Sequence, residues 1–278
     1  MIINEFDTII QKQNLLDLYS DTEEIENSLS INRKEYRTFA SNNSIKVDAL
    51  LNCLSNYQRS LLIECYTYSE KLFKNFYYHI LNKGTNENEH IDNYLNYKIP
   101  SDRFSPNVKF TAIEKSIKNE LINDFIFPIE KNKIEIQQYD ELIRSRHTYA
   151  HSGKYIYDYR TTKNVIKVID YITFSFVTIL ENSDKYWITY SKHYLEIYDL
   201  VCKLAKKSKT TPTNKLKDEI KKARELSTKF TTKYYILQKD VEILSPINDL
   251  IAKMSNTKLY NYQNALDLVI DLHKQMSS

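Results

Sequence analysis

Leu61-Leu-Ile-Glu-Cys65-Tyr-Thr-Tyr-Ser-Glu70-Lys-Leu-Phe-Lys-Asn-Phe-Tyr-Tyr-His-Ile80 is the stretch whose periodicity sets the fold class. Leu61, Cys65, Tyr68, Leu72, Phe76 and Ile80 recur at intervals of three and four, and similar spacing reaches back through Leu54, Leu51 and Leu50 to Val47. Side chains so spaced share one face of a helix, whereas a half-buried strand needs strict alternation. The run predicts one long helix ended by Gly84.

Its neighbours read the same way. Upstream, Ile3, Phe6 and Ile10 begin an amphipathic helix, and a more polar one carries Tyr36 and Phe39 before Ser41-Asn-Asn-Ser44 breaks the pattern. Residues 1–44 are thus expected to form an N-terminal helical arm. Thr85–Asn107 is polar and carries Pro100 and Pro106, which predicts an extended connection with room for one short helix. Ile113, Ile117, Leu121 and Phe125 make the next stripe, stopped near Pro128. Ile136, Tyr139, Leu142, Ile143 and Tyr149 make another, stopped by Ser152-Gly153. Val165–Leu180 is apolar nearly all round, the character of a helix central to a bundle. Residues 45–185 are therefore expected to form a helical bundle.

Residues 186–278 are expected to form a C-terminal helical region. A stripe from Trp187 through Tyr190, Tyr194, Tyr198 and Val201 leads into Lys206-Lys-Ser-Lys-Thr-Thr-Pro-Thr-Asn214, an exposed hinge. Lys215–Leu244, Ile247–Met254 and Leu259–His273 read as three more helices, and no repeat of fixed period occurs.

Composition agrees. With 278 residues, 42% of them hydrophobic, the chain can bury a proper core. Its two glycines and five prolines lack the turn punctuation of a many-stranded sheet. The 23 tyrosines favour strand by propensity, but most sit at helical spacing, where packing overrides that preference. The expected class is all-α: an antiparallel helical bundle with additional N-terminal and C-terminal helices.

Several functions have nothing to stand on. There is no Gly-rich phosphate loop, no Gly-x-Ser-x-Gly and no His-Glu-x-x-His. Asp21, Glu23, Glu24 and Glu26 form a solvated run rather than a two-metal site, and His79, His90, His193 and His273 lack metal-ligand spacing. Neither metal nor cofactor is expected. Cys53, Cys65 and Cys202, odd in number and far apart, read as reduced core thiols. Met1–Leu18 lacks the basic-then-apolar order of an export signal, and the most apolar stretch, Ile172–Leu180, is too short to span a bilayer. A cytoplasmic protein without membrane association is expected. The net charge of +3 is too small to indicate nucleic acid. Lysines crowd Lys203–Lys222, interrupted by Asp218 and Glu219, and read as a solvated linker and helix face.

One run carries chemistry: Arg146-His-Thr-Tyr-Ala-His151. On an ideal helix Arg146 falls within the apolar stripe of Tyr139, Leu142, Ile143 and Ala150, a costly place for a guanidinium unless it is paired or the face lines a cleft or an interface. His147 and His151 lie one turn apart on a flank with Arg144, while His151 stands about 140° from Arg146. The two converge only if the helix loosens at Ser152-Gly153, or if a second copy packs across a two-fold axis.

Arg146-His147-Thr-Tyr-Ala150-His151-Ser-Gly153 resembles the R-x(4-6)-H motif of HEPN domains, with the polar residue after the arginine and the small residue before the histidine in place. Cys65–Tyr77 is similar to the early helix of that family, which carries an acidic residue, and Val165–Leu180 to the apolar helix that follows the motif. The likeness covers roughly residues 45–185 and implies a homodimer whose facing motifs form a composite endoribonuclease site, in toxin or phage-defence proteins, with RNA as substrate and a cognate antitoxin or defence-system protein as partner. Members controlled by a nucleotidyltransferase antitoxin carry a tyrosine two residues after the histidine. Gly153 stands there, with Tyr155 two positions late, so regulation by tyrosine modification is not expected.

Cleaving RNA through its own 2′-OH needs a group to move protons and a cation to stabilise the phosphorane, and imidazole plus guanidinium fills both roles without a metal. Arg146 and His151 are the expected catalytic pair, His147 a polar helper and Glu70 a hydrogen-bond anchor for Arg146. Arg144, Lys154 and Tyr155 are candidate RNA contacts. The competing readings are a catalytically silent helical module that binds RNA or protein, with Arg146 in an interface ion-pair network, and an antitoxin or sensor subunit.

Overall fold

A computed structural model of the chain describes residues 8–258 and 262–277. Among them the backbone forms eleven α-helices and no strand, so the chain is all-α. In order these are α1 (Thr8–Ile31), α2 (Arg33–Asn42), α3 (Val47–Ile80), α4 (Glu89–Lys98), α5 (Phe110–Glu120), α6 (Ile134–Ser152), α7 (Thr162–Glu181), α8 (Asp184–Lys207), α9 (Lys217–Tyr234), α10 (Ser245–Asn256) and α11 (Tyr262–Ser277). No helix among the described residues is long and apolar enough to cross a membrane. Ile3, Phe6 and Leu259 lie outside the described residues.

The differences from the expected boundaries have local causes. α3 stops at Ile80 rather than at Gly84, because Asn82 already takes a left-handed conformation at φ 48° and the Gly84 amide turns to the Asp92 carboxylate, 2.9 Å away. α4 fills the short-helix gap, its first turn capped by the Asn88 side chain. α5 ends at Glu120, well before Pro128, and Asp124 follows at φ 62°. Lys215–Leu244 is not one helix: α9 ends at Tyr234, and a separate turn over Glu242–Leu244 leads into α10. Of the three cysteines only Cys65 is a core thiol, pushed up to about 12 by burial; Cys53 is exposed and Cys202 half-buried.

The chain divides into two compact units. The first takes in the described residues up to Ile113 together with Gln138–Ile169, and the second Glu114–Gln137 and the residues from Asp170 onward. The division falls inside α5, α6 and α7.

In the first unit α1 and α2 pack on α3. The predicted stripe of α3 is buried at Leu61, Cys65, Tyr68, Leu72 and Phe76, but Leu51 is exposed and Leu54 half-buried, so only the later two-thirds of the helix is core. Tyr139, Leu142 and Ile143 bring α6 into that core, and the Tyr139 hydroxyl donates to the Val108 carbonyl at 2.7 Å. Along α7 only Lys163 and Glu181 are exposed, as its all-round apolar character requires.

In the second unit α9 packs on α8 and α10, and α11 on α8 and α10. Its centre is aromatic: Tyr190, Phe230 and Tyr234 are buried in mutual ring contact, and the buried Trp187 joins them through Tyr190. Polar ends are satisfied at its margin, where Trp187 Nε1 donates to the Ile126 carbonyl at 3.0 Å and the Tyr190 hydroxyl to Gln238 Oε1 at 2.7 Å. Glu114 accepts from both the Phe127 amide and Lys131 Nζ, tying down the loop before α6.

Candidate functional site

The candidate site stands on the last three turns of α6. That helix is placed from both sides: its buried face meets the α3 core, and Asp140 accepts from the Phe110 amide at 2.8 Å, capping the first turn of α5. Burial raises the Asp140 carboxyl above the ordinary carboxylate range, partly offset by that amide and by Lys109 and Arg144.

Ser145, not Arg146, points into the core. Its hydroxyl is buried without a partner, while Arg146 is half-buried and Ala150 exposed. The real drift of the helix thus sets the guanidinium at the rim of the apolar face. There it lies 4.3 Å from the centroid of the Tyr66 ring, and the His147 ring meets the same tyrosine edge-on, with centroids 5.8 Å apart. Among the described residues Arg146 makes no hydrogen bond or ion pair. Glu70, expected to anchor it, is instead paired with Lys74 at 3.1 Å, one turn further along α3.

Glu70 still acts through its field. Burial, then Glu70, raises the Tyr66 phenol, and Arg146 opposes. Burial lowers His147 below the ordinary imidazole value, as do Arg146, His151 and Lys109, with Glu70 opposing. His147 is itself exposed, and the direction of its shift favours the neutral imidazole.

His151 is exposed in the final turn of α6, which stays helical through Ser152. The Ser152 hydroxyl donates to the Thr148 carbonyl at 2.7 Å and the Gly153 amide to the Tyr149 carbonyl at 2.9 Å; only at Gly153, φ 68°, does the backbone leave the helix. The loosening expected at Ser152-Gly153 is confined to Gly153, one residue past the helix end, and so does not swing His151 toward Arg146. Within one chain Arg146 and His151 thus keep roughly the 140° separation of a straight helix.

The candidate RNA contacts fare differently. Arg144 and Lys154 are exposed, Arg144 Nε reaching the Asp140 carbonyl at 3.5 Å. Tyr155 is half-buried, and its hydroxyl donates to the Gln58 carbonyl on α3 at 3.3 Å, which makes it first a tie between the motif's exit and the core. His193 is hydrogen-bonded to the Tyr234 hydroxyl at 2.9 Å. Among the described residues no three His, Cys, Asp or Glu side chains converge as metal ligands. A cavity of about 590 Å³ lined by α1, α2 and the start of α3 includes none of the motif residues.

Tyr66 is the site residue that sequence reasoning missed. The available signal was its place one turn before Glu70, but it lies off the predicted stripe of α3 and nothing in spacing alone pairs it with an arginine eighty positions later. Comparison of the chain with family models, curated proteins and solved structures finds no match.

Proposed function

We propose that the chain is an endoribonuclease of the HEPN type, active as a homodimer whose two α6 motifs face one another, in a toxin–antitoxin or anti-phage role. The observation that carries the reading is the guanidinium of Arg146, laid on Tyr66 without any carboxylate partner, with the His147 ring against the same tyrosine. A structural arginine at such a rim would normally be paired. An unpaired one presents its N–H edge to an incoming anion, and a phosphodiester fits it bidentately.

In the proposed reaction the substrate's 2′-oxygen attacks the adjacent phosphorus and its proton passes to a base. The 5′-oxygen leaves with a proton, and a 2′,3′-cyclic phosphate remains. His151 serves as acid/base, Arg146 stabilises the charge on the phosphorane, and His147 orients the phosphate. Because α6 stays helical through Ser152, the arginine of one chain would work with the histidine of its partner.

That same continuity of α6 favours one rival, a catalytically silent module that binds RNA or a partner protein. The decisive experiment incubates purified protein with RNA in EDTA and compares the wild type with His151→Ala, both shown to be folded by circular dichroism. Cleavage leaving cyclic-phosphate ends, reduced on the order of 10²-fold or more in the variant, is expected. Equal cleavage by the variant, or none by the wild type at any concentration, ends the proposal.

A further inference from the structure

The α8–α9 hairpin of the second unit gathers charge out of proportion to the chain. From Lys203 to Lys239 the sequence holds eleven lysines and Arg224 against Asp218, Glu219 and Glu225: twelve positive to three negative, a surplus of +9 where the whole chain sums to +3. The rest of the chain is therefore net acidic. All eleven lysines are exposed. Among the described residues only Lys207 has a carboxylate partner, Glu219.

Packing decides which way these lysines face. α8 buries Val201, Leu204 and Ala205, leaving Lys203 and Lys206 outward in its last turns. α9 buries Ile220, Ala223, Ser227, Phe230 and Tyr234, which turns Lys221, Lys222 and Lys229 to the opposite face. With 18 residues, α9 is about 27 Å long. Asp218 and Glu225 share its outer face and reduce the surplus without cancelling it. Helix physics does not call for this arrangement. Lys217 stands in the first turn of α9, where the dipole favours anions, and Lys217 with Lys221, like Lys229 with Lys233, are like charges four residues apart.

Composition selects the occupant. Protein interfaces are depleted in lysine and enriched in arginine and aromatics, whereas here lysines outnumber arginine eleven to one. Amphipathic insertion into a bilayer surface needs apolar side chains beside the basic ones; the large apolar side chains exposed in this stretch, Tyr235 and Ile236, stand beyond the end of α9, and none is exposed between Lys203 and Lys233 on the lysine face of α8 and α9. Spread lysines, each a hydrated point charge, suit a repeating phosphate, where binding is driven by release of counterions and ignores sequence. We propose that the exposed lysine face of α8 and α9 binds the phosphodiester backbone of nucleic acid, using none of the residues of the α6 motif. This holds whether or not that motif cuts RNA.

The test titrates the full-length protein into a labelled 2′-O-methyl RNA oligonucleotide, which has no free 2′-OH and stays intact even if the protein is a nuclease. The comparison is with a variant combining Lys206→Gln, Lys221→Gln, Lys222→Gln and Lys229→Gln, all exposed positions, checked for folding by circular dichroism. Each neutralised phosphate of a single strand contributes about −0.7 to the slope of log affinity against log salt, so the variant should lose roughly 3 from that slope and bind at least about tenfold more weakly at moderate salt. Single-stranded DNA of the same sequence identifies the source of the backbone: equal binding means any nucleic acid, preferential binding of RNA means RNA. An unchanged affinity and slope in the folded variant overturns the proposal, as does wild-type protein that captures anionic phosphatidylserine vesicles but not the oligonucleotide. Absence of RNA cleavage by the wild type would sink the nuclease reading and leave this result intact.

Discussion

The guanidinium of Arg146 and the ring of Tyr66 form a stacked pair, 4.3 Å from carbon to centroid, across the contact between α6 and α3. The pair holds the arginine at the rim of the core while leaving its N–H edge unengaged. It also couples the arginine to His147, whose ring touches the same tyrosine.

Replacing the ring is therefore expected to act on RNA cleavage through Arg146. Tyr66→Phe keeps the stack and should stay within about threefold of wild type, whereas Tyr66→Leu removes a cation–π contact of roughly 0.5–2 kcal/mol and should cost about tenfold in kcat/KM. Single-turnover assays on the folded fraction of each variant measure this. Indistinguishable rates for the two would deny the tyrosine any positioning role.

His147 supplies a pH dependence with a defined sign. Burial and the neighbouring cations hold its folded pKa below the ordinary imidazole value. The unfolded chain then binds more protons than the folded one, so this group's contribution to stability is fully present above about pH 6.5 and is lost as pH falls from there through the lower folded pKa. His147→Gln removes the titrating group and should flatten this acid limb in urea unfolding below about pH 6.5. A limb as steep as the wild type's would show that other groups cause it.

Ser145 offers a gain. Its hydroxyl is fully buried without a partner, and leaving such a group unsatisfied costs about 1–3 kcal/mol. Ser145→Ala should raise stability by about 1 kcal/mol, since the smaller side chain removes the unmet polar atom at little cost in packing. A lower melting temperature in calorimetry would contradict this.

Asp140 separates capping from charge. Asp140→Ala leaves the first turn of α5 uncapped and should cost about 1 kcal/mol. Asp140→Asn keeps an acceptor and removes a carboxylate whose ionisation burial opposes, so it should cost less than the alanine variant. Denaturant midpoints for the two variants give the comparison, and the reverse order would refute it.

Much of the fold was legible because helical periodicity is a local property. The long helix from Val47, the apolar α7 and the break at Gly153 follow from spacing and from the few residues that tolerate a left-handed backbone. The end of α9 at Tyr234 was not legible, since an amphipathic pattern continues past it; the chain turns there because Tyr234 and Gln238 are drawn into the aromatic centre of the second unit. Likewise the face on which Arg146 lands depends on a rotation that ideal geometry leaves open, and packing settled it in favour of Ser145.

The sequence by itself determined that this chain is helical, and it singled out Arg146, His147 and His151, because both follow from residues a few positions apart. Only the tertiary structure decided what meets them. Glu70 went to Lys74, Tyr66 to Arg146 and Asp140 to the start of α5, since pairings between distant segments are fixed by which faces bury together, and one-dimensional spacing carries no record of that choice.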